Sequence, residues 1–342
     1  MFKPEINAVY QPEQAATWRQ QLKEAIQKPQ QLRQMLGLPV MGEEESRAAD
    51  RAQQHFKLRV PLSFVRRMRM GNPNDPLLLQ VLPTGQELLS QPGFNNDPVG
   101  DLNSTQAPGL LHKYQGRVLL ITTGACAINC RYCFRREFPY SEQVASKQQF
   151  QAAIDYIAAH PDIEEVILSG GDPLLLGTHQ LTRLTQALSD IPHIQRLRIH
   201  TRLPIVLPDR VTPNLLQWTQ NLPWPLVVVV HCNHAQELDE ETKQALLRWR
   251  QAGAHMLNQS VLLKDINDNA TAQKALARAL LDASTFPYYL HLLDKVNGSA
   301  HFDVKTSKAE AITDILRREL SGYLVPRLVR EQAGAPYKLP VL

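Results

Sequence analysis

The sequence predicts an α/β protein built as a partial (β/α)6 barrel, and two observations carry that expectation. From about residue 116 short apolar runs alternate with amphipathic stretches, six times over. Apolar strands alternating with amphipathic helices imply a parallel sheet. A cluster of three cysteines follows the first run directly, where βα folds gather ligand chemistry at the strand ends. An open doubly wound sheet is the alternative architecture.

RVLLITT (117–123) is the first buried strand. SKQQFQAAIDYIAAHP (146–161) reads as a helix: Ser146 offers an N-cap oxygen, Phe150, Ala153, Ile154, Ile157 and Ala158 share a face, and Pro161 stops it. EEVILSGG (164–171) is the second strand, followed by a helix over 179–190. RLRIHT (196–201) and PLVVVVH (225–231) are the next two strands, with a short helix near 212–221 between them. ELDEETKQALLRWRQAG is a helix that Gly253 ends from the C′ position. MLNQSVLL (256–263), a helix near 269–284, YYLHLLD (288–294) and a last helix over about 307–320 complete the set.

The flanks have a different texture. Residues 1–110 are polar, with helical spacing in ATWRQQLKEAI and PQQLRQML and turn chemistry in GNPNDP (71–76) and GFNNDPVGD (93–101). They read as a mostly helical and irregular extension that wraps a core at 111–320. Residues 321–342, ending LVREQAGAPYKLPVL, read as a short, loop-like tail.

Composition narrows the class. Apolar residues make up 43% of the 342, enough for a large core, and aromatics only 6%, so that core is aliphatic. A net charge of +4 suits anionic ligands, but no run of basic residues interleaved with aromatics marks a nucleic-acid surface. The N-terminus shows no apolar signal region, and the longest aliphatic run, LVVVV (226–230), cannot span a bilayer. The expectation is a soluble cytoplasmic protein with no membrane and no direct nucleic-acid partner.

The chemistry is concentrated in CAINCRYC. Cys126, Cys130 and Cys133 have the spacing C-x3-C-x2-C, with the fourth cysteine, Cys232, far off in sequence. Four cysteines in so long a chain make no disulfide scaffold. Clustered thiolates favour zinc or iron–sulfur. Zinc would need a fourth ligand, from Cys232 or a histidine, whereas three thiols suit an iron–sulfur cluster with one iron left open.

With that spacing after the first strand, the chain resembles the radical S-adenosylmethionine superfamily. The resemblance implies a 4Fe-4S cluster held by Cys126, Cys130 and Cys133. Its open iron would chelate S-adenosylmethionine, which supplies a hydrogen-abstracting radical. SGGDP (169–173) corresponds to the glycine-rich element of that superfamily, and two glycines at a strand end permit close backbone approach. Contacts to S-adenosylmethionine are implied for Ser169, Gly170, Gly171, Asp172, His231 and Gln259. Cys232, on the opposite strand face from His231, is expected to be structural.

PGLLHKYQGRVLL, CRYCFRR, HTRLPIVLP, VVHCNHAQELDEET, NQSVLLKDIND and PYYLHLLDKVNG together resemble the lysine 2,3-aminomutases over roughly residues 55–342. The resemblance implies a second cofactor, pyridoxal 5′-phosphate (PLP), bound covalently by Lys338 in GAPYKLP. The family's glycine run is reduced here to Gly334. PLP phosphate or ring contacts are implied for Lys113, where the family has arginine, and for Arg117. Arg135 would meet the substrate carboxylate, and Asp294 and Glu331 the ε-ammonium of L-lysine. Glu331 stands where the longer enzymes have aspartate, so the ammonium would move by about one methylene.

The longer family members carry a zinc-binding, cysteine-bearing extension, which this chain is expected to lack. CRYCFRR, Glu331 and the compact tail resemble the short bacterial branch that makes (R)-β-lysine for elongation factor P. That resemblance implies a functional link to elongation factor P and its lysyl-tRNA-synthetase-like ligase, and a reducing electron donor such as flavodoxin. A catabolic lysine 2,3-aminomutase, or a mutase for another amino acid such as glutamate, is the alternative. A glutamate mutase would need a cation where this chain offers Asp294 and Glu331.

Overall fold

The computed structural model describes residues 12–140 and 147–341. Ten strands form one sheet in chain order: β1 (Thr105–Ala107), β2 (Leu110–Tyr114), β3 (Arg117–Thr123), β4 (Glu165–Gly170), β5 (Arg196–Thr201), β6 (Leu226–His231), β7 (His255–Val261), β8 (Phe286–His291), β9 (Arg327–Arg330) and β10 (Leu339–Pro340). Each neighbouring pair from β3 to β9 is parallel, while β1–β2, β2–β3 and β9–β10 are antiparallel. A strand order that never reverses has no topological switch point, which a doubly wound sheet requires. Right-handed crossovers between successive parallel strands put all the helices on one face, and the twisted sheet curls away from them. The edge strands β1 and β10 do not pair, so the barrel is partial.

The long helices of the N-terminal part are α1 (Pro12–Lys23), α2 (Pro29–Met35) and α3 (Glu43–His55). The crossovers carry α4 (Lys147–Ala159), α5 (Thr178–Ser189), α6 (Pro213–Gln220), α7 (Glu240–Gln251), α8 (Ala270–Asp282) and α9 (Thr306–Glu319). Ser146, the expected cap of α4, lies outside the described residues. Helix α7 ends as its glycine demands: Gly253 has φ +105°, its N–H donates to Arg250 O, and Ala254 N–H donates to Trp249 O.

Period-two alternation divides each strand between two environments. Leu120, Leu168, Ile199 and Val230 point to the helices and join one continuous core cluster with Leu181, Leu215 and Trp249. Trp18, Leu32, Leu58, Phe64 and Leu77 of the N-terminal part belong to the same cluster. Residues on the other face, among them Ser169, His200, His231, Gln259 and His291, line a cavity.

The tail departs from expectation. It is not loop-like: Arg327–Arg330 adds to the sheet as β9, parallel to β8, and Leu339–Pro340 returns antiparallel as β10. The LVR run is too short to show a period, and its edge pairing depends on β8, which sequence alone does not supply. Among the described residues no helix is long and apolar enough to cross a membrane.

Candidate active site

A cavity of about 710 Å³ opens at the C-terminal ends of the strands. Every site residue named from the sequence lines it: Cys126, Cys130, Cys133, Lys113, Arg117, Arg135, Ser169, Gly170, Gly171, Asp172, His231, Gln259, Asp294, Glu331 and Lys338.

The cysteines sit on the loop after β3, and the end of β4 holds that loop tightly. A Cβ on Gly171 would stand 2.1 Å from Ala125 O, and one on Gly170, whose φ is +120°, 2.5 Å from Thr123 O. The glycines therefore serve the approach of the cysteine loop itself. Burial pushes the Cys126 thiol well above the usual range, with Cys133 and Asp172 adding to it; Cys133 is pushed up to about 11 by burial and then by Cys130. Arg202 donates from Nη1 to Cys130 Sγ at 2.7 Å and to the Tyr132 hydroxyl at 2.7 Å. Its other arm meets Gln80 Oε1 at 2.7 Å and Glu237 Oε2 at 2.9 Å. Among the described residues no group of three or more His, Cys, Asp or Glu side chains converges at single-ion spacing. Three separate thiols beside an arginine fit the corner irons of a 4Fe-4S cube better than one tetrahedral ion. Cys232 is fully buried in the main core, as its strand position implied.

Arg135 is buried and donates from Nε to Asp101 Oδ2 at 2.7 Å and from Nη1 to Ser169 Oγ at 3.3 Å. Phe134 and Phe138 flank its guanidinium at 4.9 and 5.9 Å. Although burial alone would lower it, Asp101 keeps Arg135 fully cationic.

Lys338 Nζ pairs with Glu331 Oε2, and Glu331 Oε1 accepts from Lys113 at 3.0 Å and from Tyr114 at 3.2 Å. Burial works against the Glu331 carboxylate, but Lys338 and Lys113 hold it well below its ordinary value. Asp294 accepts no hydrogen bond on its carboxylate among the described residues. Burial, reinforced by Glu331, raises it to about 7.

Two of the site residues named from the sequence are already bonded within the protein. Lys113 donates to Val99 O at 2.7 Å, Asp101 Oδ1 at 2.9 Å and Glu331 at 3.0 Å. An ammonium has three N–H bonds, and here three acceptors within the protein take them. Asp172 accepts from Thr201 Oγ1 and from the backbone N–H groups of Leu174, Arg202 and Leu203. Its carboxylate caps a turn at the cavity wall. Among the described residues the Arg117 guanidinium meets the Tyr114 ring, at 4.7 Å, and makes no side-chain hydrogen bond. His231 has its Nε2 2.9 Å from the Tyr132 hydroxyl, and burial followed by Arg202 lowers it to about 3.

Sequence reasoning missed Asp101, Arg202, His200 and His291. Arg202, His200 and His291 stand in stretches read for resemblance, and their strand-end position was a usable signal. Asp101 gave none, because its partners are 12 and 34 residues away in sequence. Among the described residues His200 Nε2 and His291 Nε2 are buried without a hydrogen-bond partner; burial lowers both imidazoles, followed by Arg198 and Lys338 at His200 and by Lys338 at His291. Orphaned imidazole nitrogens around a lysine, with Arg117 on the same wall, suit a polar aromatic group such as PLP.

The chain matches the Radical SAM superfamily over residues 120–273. The L-lysine 2,3-aminomutase of Escherichia coli (strain K12) is 49% identical over 324 residues, covering 95% of this chain and 94% of that protein. The enzyme of that name from Haemophilus influenzae is 46% identical, covering 94% of each chain. The one from Acetoanaerobium sticklandii is 34% identical, covering 95% of this chain and 78% of its own. Identity at that level along nearly the whole chain, with three thiols, a buried arginine and a lysine–carboxylate pair around one cavity, establishes that the chain belongs to the L-lysine 2,3-aminomutase family of the radical SAM superfamily.

Proposed function

We propose that the protein converts L-lysine to β-lysine as a radical S-adenosylmethionine and PLP-dependent 2,3-aminomutase. The carrying observation is the charge layout of the cavity: a buried arginine for a carboxylate, and two acids, Asp294 and Glu331, for an ammonium. An uncharged side chain would leave Asp294 without a counter-ion, and an acidic one would be repelled.

The family's cofactors are a 4Fe-4S cluster, S-adenosylmethionine and PLP. Cys126, Cys130 and Cys133 would hold the cluster; Lys338 would bind PLP, with Arg117, His200 and His291 around it; Ser169 and Gln259 would face S-adenosylmethionine. When bound, these groups supply a hydrogen-abstracting radical and an electron-delocalising ring that carries the migrating nitrogen. The chain's own residues orient the amino acid. Arg135 grips the carboxylate, Asp294 and Glu331 the far ammonium, and the carbon chain is stretched between them. Glu331 exchanges one ammonium partner for another as Lys338 moves to PLP. The buried walls exclude water from the radical.

We propose further that the product is the R form and serves the β-lysylation of elongation factor P in the cytoplasm, through a separate lysyl-tRNA-synthetase-like ligase. The resemblance of CRYCFRR and Glu331 to the short bacterial branch supports this, as does the higher identity to the E. coli and H. influenzae enzymes than to that of A. sticklandii. The test is anaerobic incubation of the reconstituted protein with L-lysine, S-adenosylmethionine, PLP and dithionite. Chiral chromatography with mass detection should show (R)-β-lysine. Intact cluster and PLP with no β-lysine would overturn the substrate assignment.

A further inference from the structure

We propose that Asp101 is a positioning residue that aims Arg135 at the carboxylate of the bound amino acid. This rests on the reading of Arg135 given above. Asp101 lies outside the parallel strands, on the loop before β1, and its side chain is only 5% exposed. The loop fixes it: Asp97 Oδ1 accepts from Asp101 N–H at 2.9 Å and Asp97 Oδ2 from Leu102 N–H at 3.1 Å.

From that anchored backbone the two carboxylate oxygens meet two cations on different elements. Oδ2 takes Arg135 Nε, on the cysteine loop, at 2.7 Å; Oδ1 takes Lys113 Nζ, on β2, at 2.9 Å. With Nε on Asp101 and one Nη1 hydrogen on Ser169, Arg135 keeps Nη2 and its second Nη1 hydrogen without a partner among the described residues. Those groups form the planar edge that binds a carboxylate with two parallel hydrogen bonds. Asp101 thus selects which edge of the guanidinium is left for the ligand.

The same carboxylate joins the two ends of the substrate site. Lys113 continues to Glu331 and Glu331 to Lys338, so charge alternates through Arg135, Asp101, Lys113, Glu331 and Lys338. An asparagine at 101 fills the same space but offers one oxygen to two cations. Its amide hydrogens must then face Arg135 or Lys113, and one cation loses its acceptor.

The experiment compares Asp101→Asn with the parent enzyme, loaded with cluster, S-adenosylmethionine and PLP. Binding of L-lysine is read as the absorbance change of the bound PLP, and turnover as KM and kcat. Iron and PLP per chain report whether the site is intact. For Asp101→Asn, Kd and KM should rise between about ten- and a hundredfold, the scale of one lost charge-assisted hydrogen bond, with kcat falling less. Asp101→Glu, which keeps the charge one methylene out of place, should fall between. Added to Arg135→Lys, Asp101→Asn should cost under about threefold more, because both act on one contact. Kd within about twofold of parent, or a full additive loss in the Arg135→Lys background, would overturn the proposal. If Asp101→Asn holds no iron or PLP, the charge-preserving Asp101→Glu decides by the same criterion. If the parent responds to another α-amino acid and not to L-lysine, the substrate reading fails. The Asp101 comparison then runs on that amino acid, since the carboxylate is common to both.

Discussion

The cysteine loop and the C-terminal tail face one cavity but are held in opposite ways. On the loop, Arg131 is fully buried between two cysteines, and all three of its nitrogens are bonded. Nε and Nη2 go to Glu87, and Nη1 to Phe56 O at 2.6 Å. Arg136 joins Glu87 at 2.9 Å, and both guanidiniums lie about 5 Å from the Phe56 ring. Arg131 N–H donates to Gln80 O and Asn129 N–H to Arg59 O. The N-terminal part is thus the clamp on the cluster-bearing loop. The tail has no such clamp. Glu331 follows β9 and Lys338 precedes β10; the two pair with each other and Glu331 also with Lys113, while among the described residues Asp294 and two histidine nitrogens have no hydrogen-bond partner. Arg131 and Arg136 of the loop are anchored to the N-terminal part, while the tail end keeps more polar groups with no acceptor or donor among the described residues.

The sharpest way to separate the two ends is to remove one anchor from each. Lys338→Ala should lose the covalent PLP absorbance and at least on the order of a thousandfold in turnover while keeping its iron. Cys130→Ala should lose the cluster and keep PLP. Loss of both cofactors from either variant would break the comparison.

A smaller effect is expected from the clamp. Glu87→Gln leaves Arg131 buried without a counter-ion and Arg136 with Glu137 alone, and breaking such a buried pair costs about 3–5 kcal/mol. The denaturation midpoint should drop and iron retention with it, while Lys338, remote from Glu87 in the ion-pair network, still takes up PLP in whatever protein stays folded. An unchanged midpoint would show that the loop does not depend on the N-terminal part.

The smallest effect is a titration. Asp294 is raised to about 7 in the free protein, so below that pH it is neutral and cannot pair with an ammonium; above it the carboxylate attracts one. The kcat/KM for L-lysine should therefore fall about tenfold per unit on the acid side of pH 7, since this ratio reports the free enzyme. Asp294→Asn should flatten that limb. A profile flat from pH 8 down to 6 would place the ammonium elsewhere.

Much of this was legible beforehand for a plain reason. Each parallel strand keeps a row of aliphatic residues in the core, so the apolar positions stand out, as RVLLITT and RLRIHT do with their bounds unchanged in the structure. The cysteine spacing is local, and a loop holds it in one stretch of chain. The site residues that went unread are those whose meaning lies in a distant partner. Asp101 looked like turn chemistry because a turn is what its neighbours make. Nothing near Lys113 in sequence shows that Val99, Asp101 and Glu331 accept from its three N–H bonds.

By itself, then, the sequence determined the alternation of strands and helices, the spacing of the three cysteines and the family, all written in patterns a few residues long. Only the tertiary structure decided that the tail closes the sheet edge as β9 and β10. It alone showed that Gly170 and Gly171 make room for the cysteine loop, that Asp172 is a cap, and that one carboxylate from an irregular loop joins the two charged ends of the cavity. Hydrogen bonds and ion pairs act over about 3 Å of space, and residues far apart in the chain come within that distance only when the barrel folds.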